Sequence, residues 1–276
     1  MIADTVAAGE ARLEVDLVSG QSAVTSARAS NPLKLLVPRS RGPSVWAYLS
    51  SFGGGFVAGD ETSLRVRVGG NAKCFVTTQA LTKVYRNPRL RPCSHRLEAR
   101  LGEGSLLVLA PEPVQAFTDA TYVQEQRFQM DSSAGLVLLD WFCSGRAARG
   151  ERWAFRRFQS RNEVFLGTER VLLDAMLLEA AHGALRGAHR MGRFNCLALL
   201  VVLGDSLATE AANLLALAAA RPVTAKARLV VSASPLRHGA LLRIAGESAE
   251  DVAREVQRSL GFVPGLLQDD PWSRKW

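Results

Sequence analysis

A two-residue hydrophobic period recurs through the first two-thirds of the chain, and it restricts the fold more than any other feature. Leu13, Val15 and Leu17 alternate with Glu14, Asp16 and Val18. Leu64, Val66 and Val68 alternate with Arg65 and Arg67, and Leu97, Ala99 and Leu101 with Glu98 and Arg100. Tyr122 to Met130 continues the pattern, with Gln124, Gln126 and Phe128 on one side. Successive side chains of a strand point to opposite faces, so this period predicts strands with one wet face. Three other runs are apolar throughout: Ser105 to Ala110, Gly135 to Leu139 and Leu197 to Leu203. Those fit strands buried on both faces, and by period alone equally a buried helix turn. Turn signals at Val68-Gly69-Gly70-Asn71, Gly102-Glu103-Gly104 and Pro111-Glu112-Pro113 separate the runs. Many short strands spaced about 8–12 residues apart predict a mainly β architecture.

Helical signals come late. Asp205 or Ser206 is a candidate cap for Leu207 to Ala220, an Ala- and Leu-rich run that stops at Arg221-Pro222. Ser248 caps a second run, with Asp251 three residues on, which ends at Gly261. Its apolar positions Val252, Val256 and Leu260 recur every four residues, so one face docks. Leu172 to Leu185 reads equally as helix or strand, and Gly183 to Asn195 as a soft boundary. With 276 residues, of which 47% are hydrophobic, the chain can bury one large core. The expectation is a single domain over 1–276, strand-rich over 10–180 and mixed over 195–262, with two helices in the last third.

Several function classes are excluded or disfavoured. No run of about 18 apolar residues exists for a membrane-spanning helix. Met1 to Glu10 has no basic segment followed by an apolar block, so no secretory signal is expected. Cys74, Cys93, Cys143 and Cys196 are widely spaced, which predicts buried thiols in a reducing compartment, the cytosol. The net charge of +8 is concentrated. Lys83, Arg86, Arg89, Arg91, Arg96 and Arg100 form one basic cluster, and Arg146, Arg149, Arg152, Arg156, Arg157 and Arg161 another. Such clusters suit an acidic protein face or a nucleic acid. A basic, β-rich nucleic-acid-binding protein is therefore the alternative reading, although no stacked-aromatic motif accompanies the arginines.

Three segments stand out. Ser51 to Asp60 is a glycine loop, with Gly54, Gly55 and Gly59 before Asp60. It lacks the Lys-Ser/Thr of a phosphate-binding loop, because Asp60-Glu61 occupies that place, and a strand pattern rather than a helix follows it. The loop is expected to be a tight turn, with Asp60 capping amides or meeting a cation. Thr77 to Arg86 reads as a strand with hydroxyls on both sides, ending in Lys83, Tyr85 and Arg86. Asp140 to Trp153 carries Asp140 on an apolar strand, then a turn with Gly145, Arg146 and Glu151. No nucleophile–base pair or metal-ligand spacing involves His95, His182, His189 or His238.

Taken in order, these segments and the Ala110-Pro111-Glu112-Pro113 turn followed by Phe117 resemble the urease accessory family UreD, called UreH in some organisms. The resemblance is good over about residues 10 to 180 and in outline beyond. It implies a right-handed β-helix-like fold and no enzymatic activity. It implies binding to urease apoprotein and to UreF, which recruits the GTPase UreG carrying Ni²⁺. No permanent cofactor is implied, only nickel in transit along an internal passage. Asp60, Thr78, Asp140 and Asp174 are the positions expected near that passage. Asp60 and Asp140 are expected to be satisfied by water there, so that replacing either costs little stability.

Overall fold

The computed structural model describes residues 6–88, 91–222 and 224–274. Among the described residues, eighteen strands and three helices follow one another. The strands are β1 (Glu10–Val18), β2 (Gln21–Ala29), β3 (Leu33–Leu36), β4 (Val45–Ser51), β5 (Gly55–Phe56), β6 (Glu61–Val68), β7 (Lys73–Thr78), β8 (Thr82–Val84) and β9 (Cys93–Leu101). They continue with β10 (Leu106–Leu109), β11 (Val114–Ala116), β12 (Thr121–Met130), β13 (Gly135–Cys143), β14 (Arg157–Leu166), β15 (Glu169–Glu179), β16 (Cys196–Leu203), β17 (Leu229–Leu236) and β18 (Gly239–Gly246). The helices are α1 (Ala208–Ala219), α2 (Ala249–Ser259) and α3 (Val263–Leu267).

From β6 onward the chain winds as a β-solenoid. Strands β6, β9, β12 and β14 lie side by side in parallel in a first sheet. The intervening β7, β10 and β13 are parallel neighbours in a second. Short β5, β8 and β11 form a third, narrow parallel ladder. Antiparallel partners terminate the stack: β2 beyond β1 and β15 beyond β14 in the first sheet, β3 beyond β4 and the β16–β18–β17 run beyond β13 in the second.

The two hydrophobic patterns of the sequence map onto the two sheets. The first sheet turns one face to water, and its inward positions, such as Leu13, Leu64, Leu97 and Phe128, are buried. The second sheet is covered twice. Leu107, Leu136 and Leu138 pack between the sheets. Val108, Val137, Leu139 and Leu200 pack under the helices, against Leu207, Leu214, Val252, Val256 and Leu260. That double covering is why its strands read as unbroken apolar runs.

Local expectations were met unevenly. Ser248 caps α2 as expected, its Oγ accepting the Asp251 amide proton at 3.2 Å. Neither Asp205 nor Ser206 caps α1; a 3₁₀ turn over Asp205–Leu207 leads in, burying the Leu207 side chain, and no side chain caps the helix start. Leu172 to Leu185 resolves into the end of β15 and a 3₁₀ turn at Ala180–His182. Helix α3 was missed: five residues are too few to display a period, although Pro264 sits in its first turn. Leu17 is 43% exposed rather than inward, because the β1–β6 ladder ends at Val15 and Val68. The Gly183–Asn195 segment is tied to the body, Arg152 donating to Gly192 O and Arg193 O and Trp153 Nε1 to Phe194 O.

Candidate functional site: a polar row between the sheets

Asp140 shares its phase on β13 with Leu136, Leu138 and Phe142, so it points between the sheets where an apolar residue is expected. Four polar positions of the facing sheet meet it. Gln124 and Gln126 stand on β12 in phase with Tyr122 and Phe128, and Ser160 and Asn162 on β14 in phase with Phe158 and Val164. Gln124 Nε2 donates to Asp140 Oδ1 at 2.9 Å. Ser160 Oγ and Asn162 Nδ2 each donate to Asp140 Oδ2 at 2.8 Å. The Tyr122 hydroxyl donates to Gln124 Oε1 at 3.2 Å, and burial holds its pKa well above the ordinary value.

The strand registers extend this cluster into a row. Thr62 on β6 pairs with His95 on β9, His95 with Gln124, and Gln124 with Ser160. One inward step along the strands, Gln126 pairs with Asn162, and Asn162 with Asp174 on β15. Neighbouring strands lie about 4.8 Å apart, so the row from Thr62 to Ser160 runs about 14 Å across the strands, inside the molecule. At one end Asp174 Oδ1 accepts from Arg243 Nη2 of β18 at 2.7 Å, an ion pair joining the first sheet to the second. At the other, His95 Nδ1 lies 2.9 Å from Thr62 Oγ1, and desolvation lowers the imidazole pKa to about 4. Among the described residues, Asn162 Oδ1 is buried without a hydrogen-bond partner.

A cavity of about 60 Å³ opens along this row, lined by Thr78, His95, Glu112, Gln124, Gln126 and Asp140 among others. That is room for about four waters. Of the four expected passage residues, the structure brings Thr78 and Asp140 to this cavity. Asp174 stands in the adjoining row, paired with Arg243. Asp60 stands apart from both: its Oδ2 accepts the Val57 amide proton at 2.8 Å and so closes the glycine turn. Asp140 differs from expectation in one respect. Protein donors rather than water satisfy it, so its removal leaves three buried groups without their partner. Sequence reasoning passed over His95, Gln124, Gln126, Ser160 and Asn162. The available signal was a polar residue in the apolar phase of an alternating strand, at 124 and 126.

The remaining motif residues support the turns that close the solenoid coils. A Cβ on Gly55 would lie 2.5 Å from Lys83 O, and Gly59 adopts φ +87°. Gly54, at φ +68°, completes the turn, and the Tyr85 ring packs edge-on against Phe117. Arg86 is exposed. Gly145, at φ +114°, leaves no room beside Ala116 O and Glu151 O. Arg146 stacks over Phe117 and bonds Glu151, which holds the Glu151 carboxyl below the ordinary range.

Part of the basic clusters is also accounted for, since Arg96, Arg146, Arg156 and Arg161 each have an acidic partner. On the outer face of the first sheet Arg65 pairs with Glu98 at 3.7 Å, Arg96 with Glu125 at 3.2 Å and Arg161 with Glu163 at 2.8 Å. Arg67 bridges Glu14 and Asp16, at 3.0 and 2.7 Å. Arg156 meets Asp119 at 3.3 Å. Arg89 lies outside the described residues. Parallel strands set these rows of opposite charge beside one another, an arrangement that partly cancels the field of the arginines. All four cysteines are free and buried. Among the described residues, no three His, Cys, Asp or Glu side chains are grouped to hold a metal ion, and no helix is long and apolar enough to cross a membrane.

The molecule is thus a parallel β-solenoid with a polar row through its core. Residues 7–276 match the family described as UreD urease accessory protein. A urease accessory protein UreD of Sorangium cellulosum is 48% identical over 270 residues, covering 98% of this chain and 85% of that protein. One from Anaeromyxobacter is 43% identical, covering 97% and 89%. Urease accessory protein D of Oryza sativa subsp. japonica is 36% identical, covering 83% and 78%. These relatives are urease accessory proteins. The chain belongs to the UreD family.

Proposed function

We propose that this chain is a non-enzymatic, cytosolic maturation factor that passes Ni²⁺ to urease along its interior row. It binds urease apoprotein and UreF, and UreF brings UreG, the GTPase that carries the metal. Nickel is cargo rather than cofactor, and neither a membrane nor a nucleic acid takes part.

The observation that carries this reading is the row from Thr62 to Asp174 with its cavity. A polar lane through a β core costs stability relative to an apolar one unless every buried polar group finds a partner, so its presence points to a use. The donors along it are single carboxylates, amides and hydroxyls spread over several strands. A divalent cation meets them a few at a time, so it is held weakly and released, as a conducting path requires. A closed tetrahedral cage would instead retain the metal.

The test is a strain lacking this chain, complemented by the native protein or by Asp140→Asn. Without the chain, urease is expected to accumulate as protein but with little nickel. Complementation restores the metal, and Asp140→Asn restores it only in part while still co-purifying with UreF. Urease with a normal nickel content in the strain lacking the chain overturns the proposal.

A further inference from the structure

We propose that the open edge of β15, beneath the overhanging β17, docks an extended segment of a partner protein, which adds to the first sheet as a further strand. This rests on the accessory reading above only in that a protein partner exists; it takes nothing from the interior row.

The two sheets end unequally. Asp174 of β15 bonds Arg243 of β18 at 2.7 Å, and Glu169 at the start of β15 bonds Arg237 of the β17–β18 turn at 2.7 Å. Strand β15 therefore lies against β18. The second sheet continues one strand further, to β17, whereas the first stops at β15. On β17, Leu229, Val231 and Ala233 pack on the helix side. Val230, Ser232 and Ser234 face the other way and are exposed. Strand β17 thus roofs the space beside β15.

The edge itself is able to pair. Among the described residues β15 hydrogen-bonds to β14 alone. The Ala180 amide donates to Arg156 O, which sets the phase of that ladder. Asp174, Met176 and Leu178 bond β14, and the N–H and C=O groups of Leu173, Ala175 and Leu177 point to the open edge. The side chains of those three residues are exposed on the outer face, Leu173 by 44% and Leu177 by 47%. Exposed edges are ordinarily blunted. Strand β3 has four residues between Pro32 and Pro38, β17 carries Pro235, and a bulge at Thr25 interrupts β2 midway. Strand β15 has eleven residues with neither proline nor lysine, and its bulge at Val171 leaves 172–179 regular.

The overhang decides the occupant. A second copy adding its own β15 about a two-fold axis would bring its β18 into the place that β17 already fills, so the symmetric dimer is excluded. A single strand from another protein fits, about 4.8 Å from β15. Its outward side chains meet Leu173, Ala175 and Leu177, which calls for aliphatic residues. Its inward ones lie under Ser232, Ser234 and Arg243, which calls for short polar ones. The rim is cationic: the Arg243 side chain is 57% exposed against 20% for its partner Asp174, and Arg228 74% against 27% for Glu247. Guanidinium groups turned out and carboxylates turned in favour a segment with acidic flanks. Backbone bonds then supply affinity and the alternating side chains specificity, as in other strand additions.

The experiment co-expresses the full chain with UreF and urease apoprotein and compares the purified complex with the chain alone by hydrogen–deuterium exchange. The 173–177 amides are expected to exchange about tenfold more slowly in the complex. Ala175→Pro removes an outward N–H and no bond to β14, so it should fold and lower recovery of the complex about tenfold. Leu173→Lys combined with Leu177→Lys should do the same. A complex whose 173–177 amides exchange as in the free chain overturns the docking site and leaves the accessory reading standing. So does undiminished recovery with a folded Ala175→Pro chain. A native chain that binds neither protein overturns both. Protection of the same amides in the free chain, with a dimer in sedimentation, assigns the edge to a second copy and overturns the choice of occupant. Should Ala175→Pro fail to fold, exchange and the double lysine variant decide.

Discussion

Asp140 and His95 were placed inside the molecule by one-residue decisions of strand phase. Asp140 accepts from Gln124, Ser160 and Asn162, and a buried donor without a partner costs on the order of 1–3 kcal/mol. Asp140→Ala removes the two oxygens that accept from all three donors, while water in the adjoining cavity recovers part of the loss. We expect a destabilisation of about 2–3 kcal/mol by urea unfolding, with Asp140→Asn nearer about 1 kcal/mol because one oxygen remains. An Asp140→Ala protein as stable as the native one would mean that water already satisfied the group. His95 gives a pH signature. Above about pH 6.5 the imidazole is neutral in folded and unfolded chains alike. As pH falls from 6.5 towards 4, the unfolded chain takes up a proton that the folded one refuses. Stability therefore falls across that window, by at most about 3 kcal/mol from this group. His95→Asn should lose less stability than the native chain between pH 7 and 4.5, and parallel curves would refute the assignment. The thiols are a third case: burial raises Cys74 and Cys93 to about 12, and the hydrogen bond with Cys143, with burial, raises Cys196. Iodoacetamide at pH 8 should modify none of the four in the native protein and all four in guanidinium.

The elements were legible where one physical cause acts alone. Strand period survives in the first sheet because one face meets water along almost every strand. The cap of α2 was legible because Ser248 and Asp251 act within one turn. Ser248→Ala should cost about 1 kcal/mol, a fall in Tm of about 2–4 °C, with urease nickel content unchanged. A loss of nickel loading at normal stability would instead make α2 part of the transfer route. Helix α1 was anticipated and its cap was not, because burial of Leu207 rather than a polar side chain sets how the chain enters it. The glycine loop is the tight turn its sequence predicts, and the Gly-Arg segment is another: a Cβ on Gly55 would strike Lys83 O, and one on Gly145 would crowd Glu151 O and Ala116 O.

At the scale of the whole molecule, stacking the coils has two consequences. Outside, it sets Arg65, Arg96 and Arg161 against glutamates of the same or neighbouring strands. Such exposed pairs contribute little to stability, yet they reduce the basic surface offered to phosphates. A single-stranded RNA of about twenty nucleotides should therefore show no saturable binding by fluorescence anisotropy at micromolar protein in 150 mM salt. Tight binding there would revive the nucleic-acid reading. Inside, the same stacking lines up polar positions from successive coils. Gln124 and Ser160 stand far apart in the chain, and the parallel register makes them neighbours.

The amino-acid order alone determined the mainly β class, the faces of most strands, the doubly buried second sheet and the two longer helices. Each follows from local period, turn chemistry or a cap, which act over a few residues. The motifs also pointed to the family, and two of the four expected passage residues, Thr78 and Asp140, line the cavity. Asp60 caps the turn as one of its two sequence readings had it, but only the tertiary structure decided that Arg243 holds Asp174, and that His95, Gln124, Ser160 and Asn162 belong with Asp140. Those facts depend on the register between strands from different coils, a property of the packed solenoid that no short stretch of the chain encodes.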